Sequence, residues 1–168
     1  VKPEQFIDCN GKSDIVKSPI GAYRESSDGR GPDVAEPGNL STGKNFSGFS
    51  YKLRLNKGPG PYLLEVEYPD DTWRHINFFV ADIQDPATLK KGKKPKGYYP
   101  PGGGVVCGGV FPLTHKMHTY RGVFWINNPI VLISIVSQRN GFRSAAARIK
   151  VYQFADAALP PSSPNRPD

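Results

Sequence analysis

The sequence contains no apolar run long enough to cross a membrane and few residues that form disulfides. A membrane helix needs roughly 18 consecutive apolar residues, whereas the longest run here, Pro129 to Val136, has the length of a strand. The two cysteines, Cys9 and Cys107, lie far apart and show no metal-type spacing. A disulfide between them and two separate buried thiols are equally compatible with the sequence.

Recognisable catalytic signatures are also missing, including a P-loop, a dinucleotide fingerprint and a G-x-S-x-G elbow. His115 and His118 are three apart in a segment typical of a turn leading into a strand, which points them to opposite faces and argues against zinc. Glu65 and Glu67 share one face of a predicted strand about 7 Å apart, a separation that alone does not exclude a glycosidase pair. Because Leu64 faces the other way, we interpret the two carboxylates as a charged solvent face. We predict that the chain is not an enzyme.

Glycine and proline are abundant instead, with 18 and 17 residues in a chain of 168. Such a composition disfavours long helices and is typical of many short strands joined by turns. The hydrophobic content of 38% fits one globular domain with a sizeable core. We expect a single domain over residues 1–157, followed by a proline- and serine-rich linker tail over residues 158–168.

Alternating apolar and polar residues predict two groups of three strands. They are Phe49 to Leu55, Tyr62 to Pro69 and Trp73 to Ala81 in the first group, and His118 to Ile126, Ile130 to Val136 and Ala145 to Phe154 in the second. We expect each group to form an antiparallel meander, the second turning at Asn140-Gly141. Two such sheets packed face to face make an all-β, antiparallel β-sandwich. The polar segment Gly21 to Gly43 is predicted to form long surface loops.

The positive charge of the chain favours polyanionic partners. The net charge is +7 and the isoelectric point is near 9.4, so an acidic polysaccharide and a nucleic acid are both candidates. Five lysines fall between Lys90 and Lys96, followed by Tyr98 and Tyr99. This segment is too polar to be a core element, and both a functional loop and a disordered loop fit it.

Aromatic side chains at turns and alternating strand positions are candidates for stacking on sugar rings. Basic side chains near them would donate hydrogen bonds to hydroxyls, or charge-assisted bonds to carboxylate or sulfate. By these criteria the predicted ligand-binding residues are Trp73, Arg74, Tyr98, Tyr99, Lys116, Tyr120 and Arg121. Trp125 is assigned to the core instead, because both faces of its strand are partly apolar.

Two stretches carry a resemblance to a known class of domain. These are Tyr62 to Arg74, YLLEVEYPDDTWR, and Phe111 to Tyr152, which contains THKMHTYRGVFWINNPIVLISIV, and together they cover about a third of the chain. They resemble the non-catalytic β-sandwich modules attached to secreted bacterial polysaccharide-degrading enzymes, and are similar to the galactose-binding-like jelly rolls to which many carbohydrate-binding modules belong. The resemblance implies carbohydrate binding, a secreted or cell-surface location and, commonly, a structural calcium ion.

The sequence therefore predicts a secreted, non-catalytic carbohydrate-binding domain that holds a linked enzyme against polysaccharide, and the net charge makes an acidic glycan one of the candidate ligands. The closest alternative is a structural sandwich that packs on a neighbouring catalytic domain and binds no sugar. A basic nucleic-acid-binding domain is a third and less favoured alternative. An exposed aromatic platform would favour the first hypothesis, and burial of the aromatic side chains would favour the second. Apart from the implied calcium ion, no cofactor is predicted.

Overall fold

The computed structural model describes residues 5–8, 13–27, 47–55, 59–83, 97–98, 103–137 and 141–154. Within these residues the regular secondary structure consists of strands only. They are β1 (Gln5–Asp8), β2 (Asp14–Ser18), β3 (Gly21–Glu25), β4 (Ser47–Arg54), β5 (Gly60–Pro69), β6 (Arg74–Ile83), β7 (Gly97–Tyr98), β8 (Gly103–Cys107), β9 (Met117–Ile126), β10 (Ile130–Ser137), β11 (Ala145–Ala146) and β12 (Arg148–Gln153). In the part of the chain described, no helix has the length and apolarity that a membrane span requires.

The strands pair antiparallel in three sheets. The six-stranded sheet has the order β1-β4-β10-β6-β7, and β8 also pairs with β6. The β12-β5-β9 sheet has β5 in its centre, and the small β11-β3-β2 sheet has β3 in its centre.

The hydrophobic core lies between the six-stranded sheet and the β12-β5-β9 sheet. The first sheet contributes Phe49, Leu53, Ile76, Phe78, Val80, Val131, Ile133 and Ile135, and the second contributes Tyr62, Leu64, Val66 and Ile126. The alternation that predicted β5 is observed, since Leu64 and Val66 are buried whereas Glu65 and Glu67 face outward. The predicted all-β, antiparallel β-sandwich is confirmed.

Between β4 and β6, and again between β9 and β10, consecutive strands lie in different layers and do not pair with each other. β4 and β6 both pair with β10, whereas β5, which lies between them in sequence, pairs with β9 and β12. The two predicted meanders are therefore wrong. So is the hairpin at Asn140-Gly141, because β10 and β12 belong to different sheets, although Gly141 does adopt the positive φ of a turn. A two-residue period identifies a strand and its buried face, but it does not identify the neighbouring strand.

The segment Gly21 to Gly43 begins with a strand and not with a loop. Residues Gly21–Glu25 form β3, which pairs with β2 and β11, so this part of the loop prediction is wrong. Tyr23 is buried, and its hydroxyl donates a hydrogen bond to Asp71 Oδ2 at 2.7 Å. Burial, reinforced by this bond, raises the pKa of Tyr23 to about 12. Residues 28–43 and the predicted tail at 158–168 lie outside the described residues.

Candidate functional site

One face of the β12-β5-β9 sheet points away from the core, and we call it the outer face. The registers of β5 with β9 and of β5 with β12 place its side chains in rows across the three strands. The backbone N–H of Phe154 donates to the carbonyl of Pro61, which adds Phe154 to the row of Pro61 and Trp125. The rows are Phe154, Pro61 and Trp125; Tyr152, Leu63 and Val123; Lys150, Glu65 and Arg121; and Arg148, Glu67 and Thr119.

The first two rows form the apolar half of the outer face. The side chain of Trp125 is 56% exposed, and those of Tyr152 and Phe154 are 44% and 43% exposed. Neighbouring strands lie about 4.8 Å apart, so Trp125 and Phe154 are separated by roughly 10 Å across the sheet. Three exposed aromatic rings on a rigid sheet offer flat apolar surfaces, of the kind that stack on ring-shaped ligands with an apolar face.

The other two rows form the charged half of the outer face. Arg121 Nε donates to Glu65 Oε1 at 2.7 Å, and Arg148 Nε lies 3.8 Å from Glu67 Oε2. The hydrogen bond from Arg121 holds the pKa of Glu65 below its ordinary value, with smaller contributions from Tyr152 and Lys150. Charged donors and acceptors therefore stand directly beside the apolar half.

The structure places Trp125 in solvent, which corrects its assignment to the core. On β9 the side chains of Tyr120 and Phe124 face the core, and Val123 and Trp125 face outward. Both faces of this strand carry apolar residues, so periodicity alone did not distinguish them. The signal that was available lies on the neighbouring strands, since Glu65 and Lys150 show which face of the sheet meets water.

A second exposed apolar surface, which we call the loop patch, lies at the ends of β6 and β8. It includes Trp73, which is 61% exposed, together with Val106, Val110 and Phe111. The indole of Trp73 lies over Gly108, where an added Cβ would come within 2.6 Å of the ring. The predicted ligand residue Lys116 is also exposed. Its backbone carbonyl accepts a hydrogen bond from the N–H of Asp70, which directly follows β5.

Near the loop patch, a chain of hydrogen bonds joins Asp70, Thr114 and His118. Thr114 Oγ1 lies 2.7 Å from Asp70 Oδ2 and 2.6 Å from His118 Nε2. Burial raises the pKa of Asp70, but the hydrogen bonds from Thr114 outweigh it, and the net pKa lies below the ordinary value. The hydroxyl of Thr114 donates to the Asp70 carboxylate, so the trio forms a polar network beside the loop patch.

The structure places Arg74 in the interior, where only 1% of the residue is exposed. Its guanidinium contacts Glu25 and Asp71 and donates to the hydroxyl of Tyr23 at 3.1 Å. Burial lowers the pKa of Arg74, but the bonds to the two carboxylates outweigh it and hold the pKa above its ordinary value. The donors of Arg74 are already used inside the protein, and we therefore leave it out of the proposed site.

The other predicted ligand residues are distributed over the molecule. Arg121 lies on the outer face. Tyr120 faces the core, where its ring stacks on Phe78 at a centroid distance of 4.4 Å, and it too is left out of the proposed site. The side chain of Tyr98 and the whole of Tyr99 lie outside the described residues.

The carboxylates of Asp70 and Asp71 already have hydrogen-bond partners within the protein. In the ranges that the structure covers, no cluster of three or more His, Cys, Asp or Glu side chains is placed to hold a metal ion. Asp70 accepts bonds from the N–H and the hydroxyl of Thr114, and Asp71 accepts bonds from Tyr23 and Arg74. The oxygens of this turn are thus bound to protein donors, whereas calcium takes six to eight oxygen ligands.

Cys107 is a free, buried thiol. Burial raises the pKa of the thiol to about 12, and the carboxylate of Asp70 adds to the effect. Cys9 lies outside the described residues.

Comparison with solved structures shows the fold class. The chain matches the CBM22-1-GH10 modules of endo-1,4-beta-D-xylanase 10B from Clostridium thermocellum, complexed with xylohexaose, with a TM-score of 0.52 and 8% identity over 92% of this chain and 27% of that chain. It also matches a family 35 carbohydrate binding module from the same organism, with a TM-score of 0.49 and 16% identity over 91% of this chain and 95% of that one. No protein-family model and no curated protein matches the sequence.

The layer packing and the match at a TM-score of 0.52 define a β-sandwich fold. At 8% identity the likeness extends to the fold alone. The chain spans about a quarter of the length of the xylanase structure that it matches.

Proposed function

We propose that this chain is a non-catalytic carbohydrate-binding domain and that polysaccharide binds to its outer face. The observation that carries the proposal is the apolar half of that face, where Trp125, Tyr152 and Phe154 are all partly exposed on one rigid sheet. Proteins in solution tend to bury large aromatic side chains, so a contiguous exposed group indicates a binding surface.

Binding would combine stacking and hydrogen bonding. Sugar rings have flat faces of C–H groups, which pack on aromatic rings, and their hydroxyls lie at the ring edges. A sugar seated on Trp125 and Tyr152 would direct its edge toward the row of Lys150, Glu65 and Arg121. The rigid sheet fixes the rings before the ligand arrives, which lowers the entropic cost of binding.

The proposal extends to the biological setting of the domain. A binding domain joined by a linker to an enzyme raises the effective concentration of that enzyme on an insoluble or extended substrate. We therefore propose a secreted or cell-surface role in targeting a polysaccharide-degrading enzyme, with residues 158–168 as the linker. A sandwich that only packs on a neighbouring domain is the alternative, and the same experiment separates the two.

Affinity electrophoresis through gels that contain polysaccharide tests the site. We expect at least one polysaccharide to retard the protein, and we expect Trp125→Ala to weaken its binding about tenfold or more. The matched control is Trp73→Ala, which removes an equally exposed tryptophan from the loop patch. We expect this control to bind like the wild type.

Three results would count against the proposal. Loss of binding in Trp73→Ala but not in Trp125→Ala would move the site to the loop patch. Equal loss in both variants would indicate a nonspecific aromatic contribution. The absence of retardation by any polysaccharide would favour the domain-packing alternative.

A further inference from the structure

The inference concerns which class of polysaccharide the outer face takes, and it rests on the proposed function. The charged half of the outer face carries Arg121, Arg148 and Lys150 together with Glu65 and Glu67. Three cations and two carboxylates leave a local charge of +1, although the whole chain carries +7. The other positive charges of the chain belong to residues outside these rows. Five of its lysines fall between positions 90 and 96, which lie outside the described residues.

Both arginines of the outer face have carboxylate partners. Arg121 is hydrogen-bonded to Glu65 at 2.7 Å, and Arg148 lies 3.8 Å from Glu67. Lys150 stands opposite Glu65 in the register of β12 and β5. An anionic sugar that approached these cations would also approach the two glutamates, whose negative charges would repel it. At physiological salt the screening length is about 8 Å, so lysines farther away contribute little attraction.

Hydroxyl groups have different requirements, because each one both donates and accepts a hydrogen bond. An arginine that is hydrogen-bonded to a glutamate still has free N–H donors, and the glutamate still has lone pairs that accept. A hydroxyl can therefore bond to both side chains while their ion pair stays intact. A neutral sugar can therefore bind to the row of Lys150, Glu65 and Arg121 while that row keeps its own contacts. The adjacent apolar half is free of charged side chains and accepts the ring face of the same sugar.

We propose that the outer face binds a neutral polysaccharide and that Glu65 and Glu67 are the residues that exclude acidic glycans. The two glutamates act as specificity determinants: they pair with the arginines of the face and repel carboxylate and sulfate groups. The basic character of the chain as a whole does not set the specificity of this site.

The experiment compares neutral and acidic polysaccharides in the same electrophoretic assay, with the whole chain. The neutral probes are a xylan, a galactomannan and hydroxyethyl cellulose, and the acidic probes are polygalacturonate and chondroitin sulfate. We expect at least one neutral probe to retard the wild type to the same extent at low salt and at about 0.15 M salt. We expect binding to the acidic probes to disappear at the higher salt and to be unaffected by Trp125→Ala.

The double variant Glu65→Gln, Glu67→Gln keeps the size of both side chains and frees the arginines. We expect it to bind an acidic probe roughly tenfold more tightly than the wild type at about 0.15 M salt, in a manner that depends on Trp125. The matched control is Asp14→Asn, which removes an exposed carboxylate on β2. It is compared with the single variant Glu67→Gln, which changes the net charge by the same amount. Thermal unfolding of each variant verifies that it is folded.

The outcomes distinguish this inference from the proposed function. Tight, Trp125-dependent binding of an acidic probe by the wild type would overturn the neutral specificity but retain the outer face as the site. A folded double variant with no gain, or an equal gain in Asp14→Asn, would overturn the role of the glutamates. Failure of every probe to bind through Trp125 would overturn the proposed function itself.

Discussion

The guanidinium of Arg74 connects two parts of the molecule that belong to different sheets. Arg74 is the first residue of β6 in the six-stranded sheet. Its guanidinium contacts Glu25 on β3 and Asp71 in the turn before β6. Glu25 is also bound by Arg143 at 2.7 Å, near the start of the final strands. A buried cation held by two carboxylates specifies one arrangement of the elements around it, because any other arrangement would leave charges unpaired.

Replacement of Arg74 by methionine should destabilise the protein strongly. Methionine fills a similar volume but leaves Glu25, Asp71 and the hydroxyl of Tyr23 without their buried partner. We expect a loss of roughly 2–4 kcal/mol in the free energy of unfolding, since both carboxylates keep some contact with solvent. Urea denaturation followed by tryptophan fluorescence measures the change.

The matched control is Arg121→Met, which removes an arginine from an ion pair on the protein surface. Exposed pairs contribute little to stability, so this variant should unfold close to the wild-type midpoint. Equal, small losses in the two variants would show that Arg74 is not the structural cation described above.

At the scale of the element, β5 serves two surfaces at once. Its inward residues Tyr62, Leu64 and Val66 belong to the core, and its outward residues Leu63, Glu65 and Glu67 lie in the centre of the outer face. Because it is flanked by β9 and β12, both of its edges are paired, and its outward side chains are held at fixed spacing. Adjacent residues on this strand should therefore affect different properties.

Leu64→Ala and Leu63→Ala form a pair of variants that tests this division. Leu64 is 2% exposed, so its truncation should reduce the free energy of unfolding by about 2–5 kcal/mol. Leu63 lies half-buried in the apolar half of the outer face, so its truncation should cost less than about 1.5 kcal/mol but should weaken polysaccharide binding. Chemical denaturation and affinity electrophoresis give the two readouts. The opposite assignment of effects would mean that β5 presents its other face to the ligand.

The sequence alone was sufficient to predict β5 and the direction of its side chains, since apolar and charged residues alternate from Leu64 to Tyr68. The same reasoning was insufficient for Trp125, because Tyr120 and Phe124 make the other face of β9 equally apolar. It was also insufficient for Arg74, whose partner Glu25 is remote in sequence and so leaves no local signal. Pairing of β10 with β4 and β6 likewise depends on contacts across the whole chain.

At the scale of the whole molecule, the chain passes back and forth between the layers. β4, β5 and β6 are consecutive in sequence, yet none of them pairs with another. Their main partners are β9, β10 and β12, all of which follow residue 116, and their further partners β1, β7 and β8 also lie outside residues 47–83. No local unit in this part of the fold is expected to be stable by itself.

A fragment comprising residues 47–83 should therefore be unfolded. It contains β4, β5 and β6, but each of these strands lacks its main pairing partner. We expect its far-UV circular dichroism to show no cooperative thermal transition. The piece comprising residues 1–157 contains every strand of the structure and is the control, which should unfold cooperatively like the full chain. A cooperative transition in the short fragment would contradict the observed strand pairing.

The rows of the outer face draw on residues from Pro61 to Phe154, so the surface exists only after three widely separated stretches of chain have come together. Under the proposed function, affinity for polysaccharide would therefore report native folding directly. An immobilised glycan would retain correctly folded chains and release misfolded ones during purification, without any added tag. The same ligand in solution would raise the melting temperature, and the rise would continue with the logarithm of its concentration above Kd, since the unfolded chain offers it nothing to bind.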